Sequence, residues 1–197
     1  MNTFNQSLFL AINASSSMPR WQIDAAIAIA DYLIYLVPLM LAALWLSGGK
    51  RQRETAVRAC CVAMLALGFN QLIGLVYMHP RPFMIGLGHT FVAHAPDSSF
   101  PSDHATVFAS VALTLLCARM WRRGALMLLT GLAVAWARVF VGVHFPLDMA
   151  GAVIIACAAF VIVMPLWSRA GESLTRAVIA VYRKVLAWPI AQGWIAQ

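Results

Sequence analysis

Three short segments hold most of the residues that could do chemistry in an otherwise apolar chain. They are His79-Pro80-Arg81-Pro82-Phe83, Pro101-Ser102-Asp103-His104, and the run from Arg138 to Asp148 that contains His144. Ionisable groups at membrane depth are expensive, so their presence points to a site with defined partners. Arg81 and Arg138 can each fork two donors onto phosphate oxygens, which a lysine cannot do. Ser102 follows a proline at the start of an apolar run, where a serine caps a helix and the free amides behind it favour an anion. Asp148 lies four residues after His144. If that turn is helical the two share a face, and the carboxylate can hold one ring nitrogen while the other attacks. His104 could then give a proton to the departing oxygen. Phosphoryl transfer asks for this set: positioning, positive charge, a nucleophile and an acid. Zinc bound by His104, His144 and Asp148 is the competing reading. It leaves the two arginines without a purpose, so no metal and no cofactor are expected.

These residues must be carried by membrane helices. The chain has 197 residues, 62% hydrophobic and 11% charged, against about 25% charged in a soluble domain. The apolar residues run on without helical stripes, which indicates spans. We expect an all-α integral membrane bundle forming a single domain over 1–197, with spans near 23–46, 56–78, 102–116, 125–143 and 148–167. Residues 1–21 are too briefly apolar to span and suit an interfacial helix. The tail after 167 has one apolar face and four basic residues, which suits a helix lying on the bilayer; a sixth span is the alternative. Cys60, Cys61, Cys117 and Cys157 fall in or beside spans and behave as small apolar residues.

Charge sets the orientation. Eleven of the fourteen lysines and arginines fall on one side if the helices alternate. That side is then cytoplasmic, and the reactive segments gather at the outer face. The net charge of +7 is spread over short gaps between spans, so no nucleic-acid partner is expected.

The three segments resemble the type 2 phosphatidate phosphatase superfamily, which also includes bacterial acid phosphatases and vanadium haloperoxidases. Its motifs read Lys-x6-Arg-Pro, Pro-Ser-x-His and Ser-Arg-x5-His-x3-Asp. Arg81-Pro82 matches the end of the first, Pro101 to His104 the whole of the second, and Arg138, His144 and Asp148 the third. The resemblance implies His144 as a nucleophile that forms a phosphohistidine, Asp148 as its partner and His104 as general acid. Arg81, Ser102 and Arg138 would hold the phosphoryl group. Gly74 stands where the first motif has lysine, and Ala137 where the third has serine. His79, when protonated, can supply part of the missing charge and is counted with the substrate-binding residues.

Within that superfamily, His-Pro-Arg-Pro-Phe and Gly-Val-His-Phe-Pro-Leu-Asp look most like the bacitracin-resistance group of undecaprenyl-diphosphatases. That likeness implies a polyprenyl diphosphate lipid as substrate and a bacterial inner membrane location, with the site facing outward. It implies recycling of the cell-wall carrier lipid. Two rivals fit the residues: a phosphatase for phosphatidate, phosphatidylglycerol phosphate or a lipid A phosphate, and a transporter or scaffold that only binds an anion. Asp31 either pairs with a site arginine or is hydrated near the interface. Asn70 and Gln71 are expected to join helices, and His89 and His94 to be solvated in the outer loop or, alternatively, to help it read the headgroup.

Overall fold

The first transmembrane rod is built in two pieces, because Pro38 has no N–H to give the preceding turn and its ring crowds the carbonyl four residues back. The computed structural model describes residues 3–47 and 49–193. In it α1 (Thr3–Ile12) precedes α2 (Arg20–Tyr32), which passes through a 3-10 turn at Leu33–Tyr35 into α3 (Leu36–Ser47). The tighter turn falls where the proline would otherwise break the ladder. There follow α4 (Lys50–Val76), a 3-10 turn at Pro82–Ile85, α5 (Asp103–Cys117), α6 (Trp121–Phe140), α7 (Pro146–Val185) and α8 (Ala187–Ala191). No strand occurs among the described residues.

Four stretches are long and apolar enough to cross a membrane: Arg20–Leu46, Lys50–Val76, Trp121–Phe140 and Pro146–Val185. With the shorter α5 they make an all-helical, multi-pass membrane protein. The helix α4 begins at Lys50, inside the expected basic turn and six residues ahead of the span expected from 56. At 27 residues it is about 40 Å long, some 10 Å more than the hydrocarbon layer. Its first turn can therefore carry Lys50, Arg51 and Arg53 at headgroup level.

At 15 residues, α5 is only about 22 Å long. It needs no more, because α4, α6 and α7 all pack on it and shield it from lipid. Close approach to α6 depends on Gly131, where an added Cβ would lie 2.7 Å from Phe108 Cβ. Small residues at such crossings let membrane helices meet backbone to backbone. Phe108, Val111 and Leu115 of α5 join Leu44, Met127 and Val134 in the main core.

At the two ends of the chain, one expectation is corrected and one is extended. The tail is not a separate helix lying on the bilayer: α7 continues unbroken through Pro165 to Val185. Its far half is held by partners at the end of α3 and the start of α4. Tyr182 packs edge-on against Trp45 at 5.5 Å, and Lys50 pairs with Glu172 at 2.7 Å. The first helix does not merely float at the interface either. Phe9 of α1 is fully buried against Val139 and Phe145, and Asn5 Oδ1 accepts from the Leu147 amide at 3.1 Å. Thus α1 covers the turn between α6 and α7, the turn that carries His144.

Candidate active site

The α6–α7 turn is shaped by Gly142, at φ +89°, a backbone conformation that side chains disfavour. The His89 carbonyl presses on its α-carbon where any Cβ would sit. This turn drops His144 onto the first turn of α7, where Asp148 meets it as the four-residue spacing predicts. His144 Nδ1 lies 3.2 Å from Asp148 Oδ2. The same oxygen accepts from the Phe145 amide at 2.8 Å and from Ser99 Oγ in a short hydrogen bond. Asp148 is therefore locked, and its acceptor oxygen keeps the Nδ1 proton in place. The remaining nitrogen, Nε2, faces Arg81 Nη1 at 3.2 Å.

Arg81 is held on three sides. Its Nε donates to Asp97 Oδ1 at 2.8 Å, Nη1 to the Val143 carbonyl at 2.8 Å and Nη2 to the Ser98 carbonyl at 3.3 Å. Arg138, in the last turn of α6, has fewer partners: His94 Nε2 lies 3.1 Å from Nη2, and Asp31 Oδ1 lies 3.8 Å from Nη1. Its Nε is buried with no hydrogen-bond partner. Ser102 occupies the N-cap position of α5, yet its side chain makes no cap bond, a correction to the expected capping role. The hydroxyl is instead buried and unpartnered. Buried polar groups are rarely left so, and both orphaned donors suit an anion.

A cavity of about 390 Å³ joins these groups, lined by Arg81, Arg138, His94, Asp97, His104 and His144. Gly74 and Leu75 of α4 form part of its opposite wall. A Cβ at Gly74 would meet only Ser98 Cβ, at 3.6 Å, so the absence of the motif lysine leaves open space there. Asn70 and Gln71 do join helices: Asn70 Nδ2 donates to Asp103 Oδ1 at 2.8 Å and Thr106 Oγ1 at 2.9 Å, while Gln71 Nε2 reaches Asp103 Oδ2 at 3.4 Å.

His79 is not on this cavity. It lies on the other side of Asp148, with Nδ1 3.9 Å from Asp148 Oδ1, and it lines a separate cavity of about 350 Å³ beside Tyr77 and Phe100. Both facing atoms are buried and lack hydrogen-bond partners. Three residues that do touch the site went unassigned from sequence: Ser99, His94 and Asp97. His94 belongs to the wall and is not simply solvated. Asp31, though exposed, comes within 3.8 Å of Arg138, the pairing with a site arginine that its position suggests. No three His, Cys, Asp or Glu side chains group as a metal would need among the described residues.

Electrostatics favours a neutral nucleophile. Burial pushes the His144 pKa well below its ordinary 6.5, and the charges of Arg81 and Arg138 push the same way. Burial likewise lowers His94. For Asp97, burial acts upward, but the hydrogen bond and charge of Arg81 outweigh it and lower the pKa. Phe100 fastens the loop carrying Asp97 and Ser99. Its ring fills the space a Cβ on Gly151 of α7 would need.

The family model for the PAP2 superfamily matches residues 55–172. The Escherichia coli K12 protein YbjG, grouped by name with the undecaprenyl-diphosphatases, is 37% identical over 99% of this chain and 98% of its own. The undecaprenyl-diphosphatase BcrC of Bacillus subtilis 168 is 34% identical over 77% of this chain and 78% of its own. Among solved structures, LpxE of Aquifex aeolicus superposes with a TM-score of 0.64 at 20% identity, covering 81% of this chain and 93% of its own; that likeness concerns the fold. With both the motifs and the helical frame in agreement, this chain belongs to the PAP2 superfamily.

Proposed function

We propose that the protein is a lipid-diphosphate phosphatase that converts undecaprenyl diphosphate to undecaprenyl phosphate and inorganic phosphate. The observation that carries the chemistry is His144, tied at Nδ1 to a locked carboxylate and open at Nε2 toward two guanidinium groups. The substrate comes from the relatives, whose identity extends over most of the chain.

In the first step Nε2 attacks the terminal phosphorus, and the bond to the bridging oxygen breaks. With the anionic diphosphate bound beside it, His104 can carry a proton and gives it to the departing undecaprenyl phosphate. Arg81, Arg138, the Ser102 hydroxyl and the α5 amides hold the non-bridging oxygens, where charge spreads in the transition state. Asp148 balances the positive imidazole of the phosphohistidine. In the second step water attacks phosphorus, His104 takes a proton from it, and the P–N bond breaks to restore His144. The lipid tail stays in the bilayer, since Leu72 and Leu75 beside the cavity wall are largely exposed. By the distribution of basic residues, the site faces the outside of a bacterial inner membrane.

Two measurements test this reading. A rapid quench without acid, using substrate labelled in the terminal phosphate, should trap labelled protein; normal hydrolysis with no labelled adduct would overturn the phosphohistidine. Purified protein offered undecaprenyl diphosphate, phosphatidate and phosphatidylglycerol phosphate side by side should prefer the first, and preference for a glycerophospholipid would overturn the substrate.

A further inference from the structure

The opposite end of the bundle carries a second arginine-lined cavity. It measures about 360 Å³ and is walled by Arg51, Glu54 and Arg58 of α4, Arg119 of the α5–α6 turn, and Trp167 of α7. It lies where α4 begins and α5 ends, so the full length of α5 separates it from His104. Its arginines are more than scattered basic residues at a membrane boundary, for three reasons.

Arg58 lies with its guanidinium 5.9 Å from the centre of the Trp167 ring, and its Nε is buried with no hydrogen-bond partner. An aromatic face holds a guanidinium in place and leaves its in-plane donors unused. Arg119 sits at φ +58°, the one positive-φ residue other than glycine among the described residues. It follows the end of α5, with its amide donating to Leu116 O at 2.9 Å and the Met120 amide to Leu115 O at 2.9 Å. Glycine is usual at such a helix end because it alone enters the left-handed region without strain. An arginine held there spends local stability to present its side chain to the cavity. Arg51 is anchored by donating through Nη2 to the Ala118 carbonyl. The only carboxylate on the wall, Glu54, already lies 3.8 Å from Lys50.

Glu54 can offset at most one of the three guanidinium charges, and a phosphate group is the anion that matches several forked donors. The lining holds no histidine or paired acid that could activate its one thiol, Cys117, so the cavity is built to bind an anion and not to attack it. Trp167 places it at the depth of the headgroups, where tryptophan concentrates. We propose that this cavity binds the phosphate of an anionic glycerophospholipid in the leaflet opposite the catalytic cavity. The assignment does not rest on the phosphatase reading, because it uses no residue of that site.

The test uses the full-length protein in detergent and native mass spectrometry. Phosphatidylglycerol, phosphatidylcholine and inorganic phosphate are offered separately to the wild type, Arg119→Gly, and Arg58→Gln/Arg119→Gly. Glycine relieves the left-handed backbone, so Arg119→Gly should melt no lower than the wild type and controls for folding. Retention of phosphatidylglycerol should drop about fivefold for each arginine removed, with phosphatidylcholine retention and phosphate release unchanged. Equal retention by the wild type and both variants would overturn the site. Binding of inorganic phosphate without preference for phosphatidylglycerol would overturn the lipid as its source.

Discussion

The two ends of this bundle use the same cation for different ends. At one, Arg81 and Arg138 are almost wholly buried and border a histidine whose far nitrogen is tied to Asp148. At the other, Arg51, Arg58 and Arg119 border a tryptophan and no histidine. Guanidinium groups can gather phosphate at either end. Only the first end adds an imidazole whose proton and orientation are decided in advance, and that addition separates reaction from residence. Rigidity differs as well. Arg81 has donors committed to two backbone carbonyls, whereas Arg58 rests on a ring.

His144→Ala breaks the contrast most severely. Without the nucleophile, kcat should fall by about 10⁴-fold or more, as for other catalytic groups that act as a unit, while lipid binding at the far end stays as it was. A mutant within tenfold of the wild-type phosphate-release rate would place the chemistry elsewhere. Next comes Arg138→Lys, which keeps the charge and loses the fork. A loss of about 10²-fold in kcat/KM is expected, in line with removing one transition-state donor; an unchanged value would reduce Arg138 to bulk charge.

The pH profile sharpens the contrast further. The attacking form of His144 is the neutral ring, and burial with two neighbouring arginines lowers its pKa below 6.5. Protonation inactivates it, so a lowered pKa moves that loss to more acid pH. Between pH 6.5 and 5.5 the fraction of neutral His144 in the free enzyme should stay nearly constant. NMR titration of the ring, labelled at nitrogen, would measure it directly, and a midpoint at or above 6.5 would contradict the desolvated site. The smallest effect belongs to His79. Asparagine can place a donor where Nδ1 stands, so His79→Asn should stay within about threefold of wild-type kcat. His79→Leu should lose more in kcat than in KM, because it strips the far side of Asp148 and leaves the phosphate cavity intact. Equal changes in KM for both variants would return His79 to the substrate.

How much of this could be read from the sequence depends on the range over which a residue finds its partner. His144 and Asp148 were legible because a helical turn brings i and i+4 together whatever the rest of the chain does. Arg81, Ser102, His104 and Arg138 were legible through motif spacing, and they converge on one end as expected. Ser99 and Asp97 were not: their partners, Asp148 and Arg81, lie far along the chain and meet them only after the loop folds back. His79 was misplaced for the opposite reason. Arg81 points into the cavity, and two-residue spacing in extended backbone would put His79 on the same face; instead its ring stacks on Tyr77 at 5.9 Å and turns to the far side of Asp148. The ends of α5 were legible, expected at 102–116 and found at Asp103–Cys117, whereas α7 is too long for its sequence to show where the membrane stops.

The seat of Phe100 against Gly151 divides the outer loop into two zones of very different tolerance. Downstream of that latch, the stretch from Phe100 to His104 is clamped to the helix that bears Asp148, and even one extra methyl group on α7 would prise it away. Upstream, the His89 carbonyl and the Phe91 amide rest on the turn that carries His144, and only the rim about Gly86 faces open space. Selectivity for headgroups can therefore drift at that rim while the chemistry of the clamped stretch stays fixed.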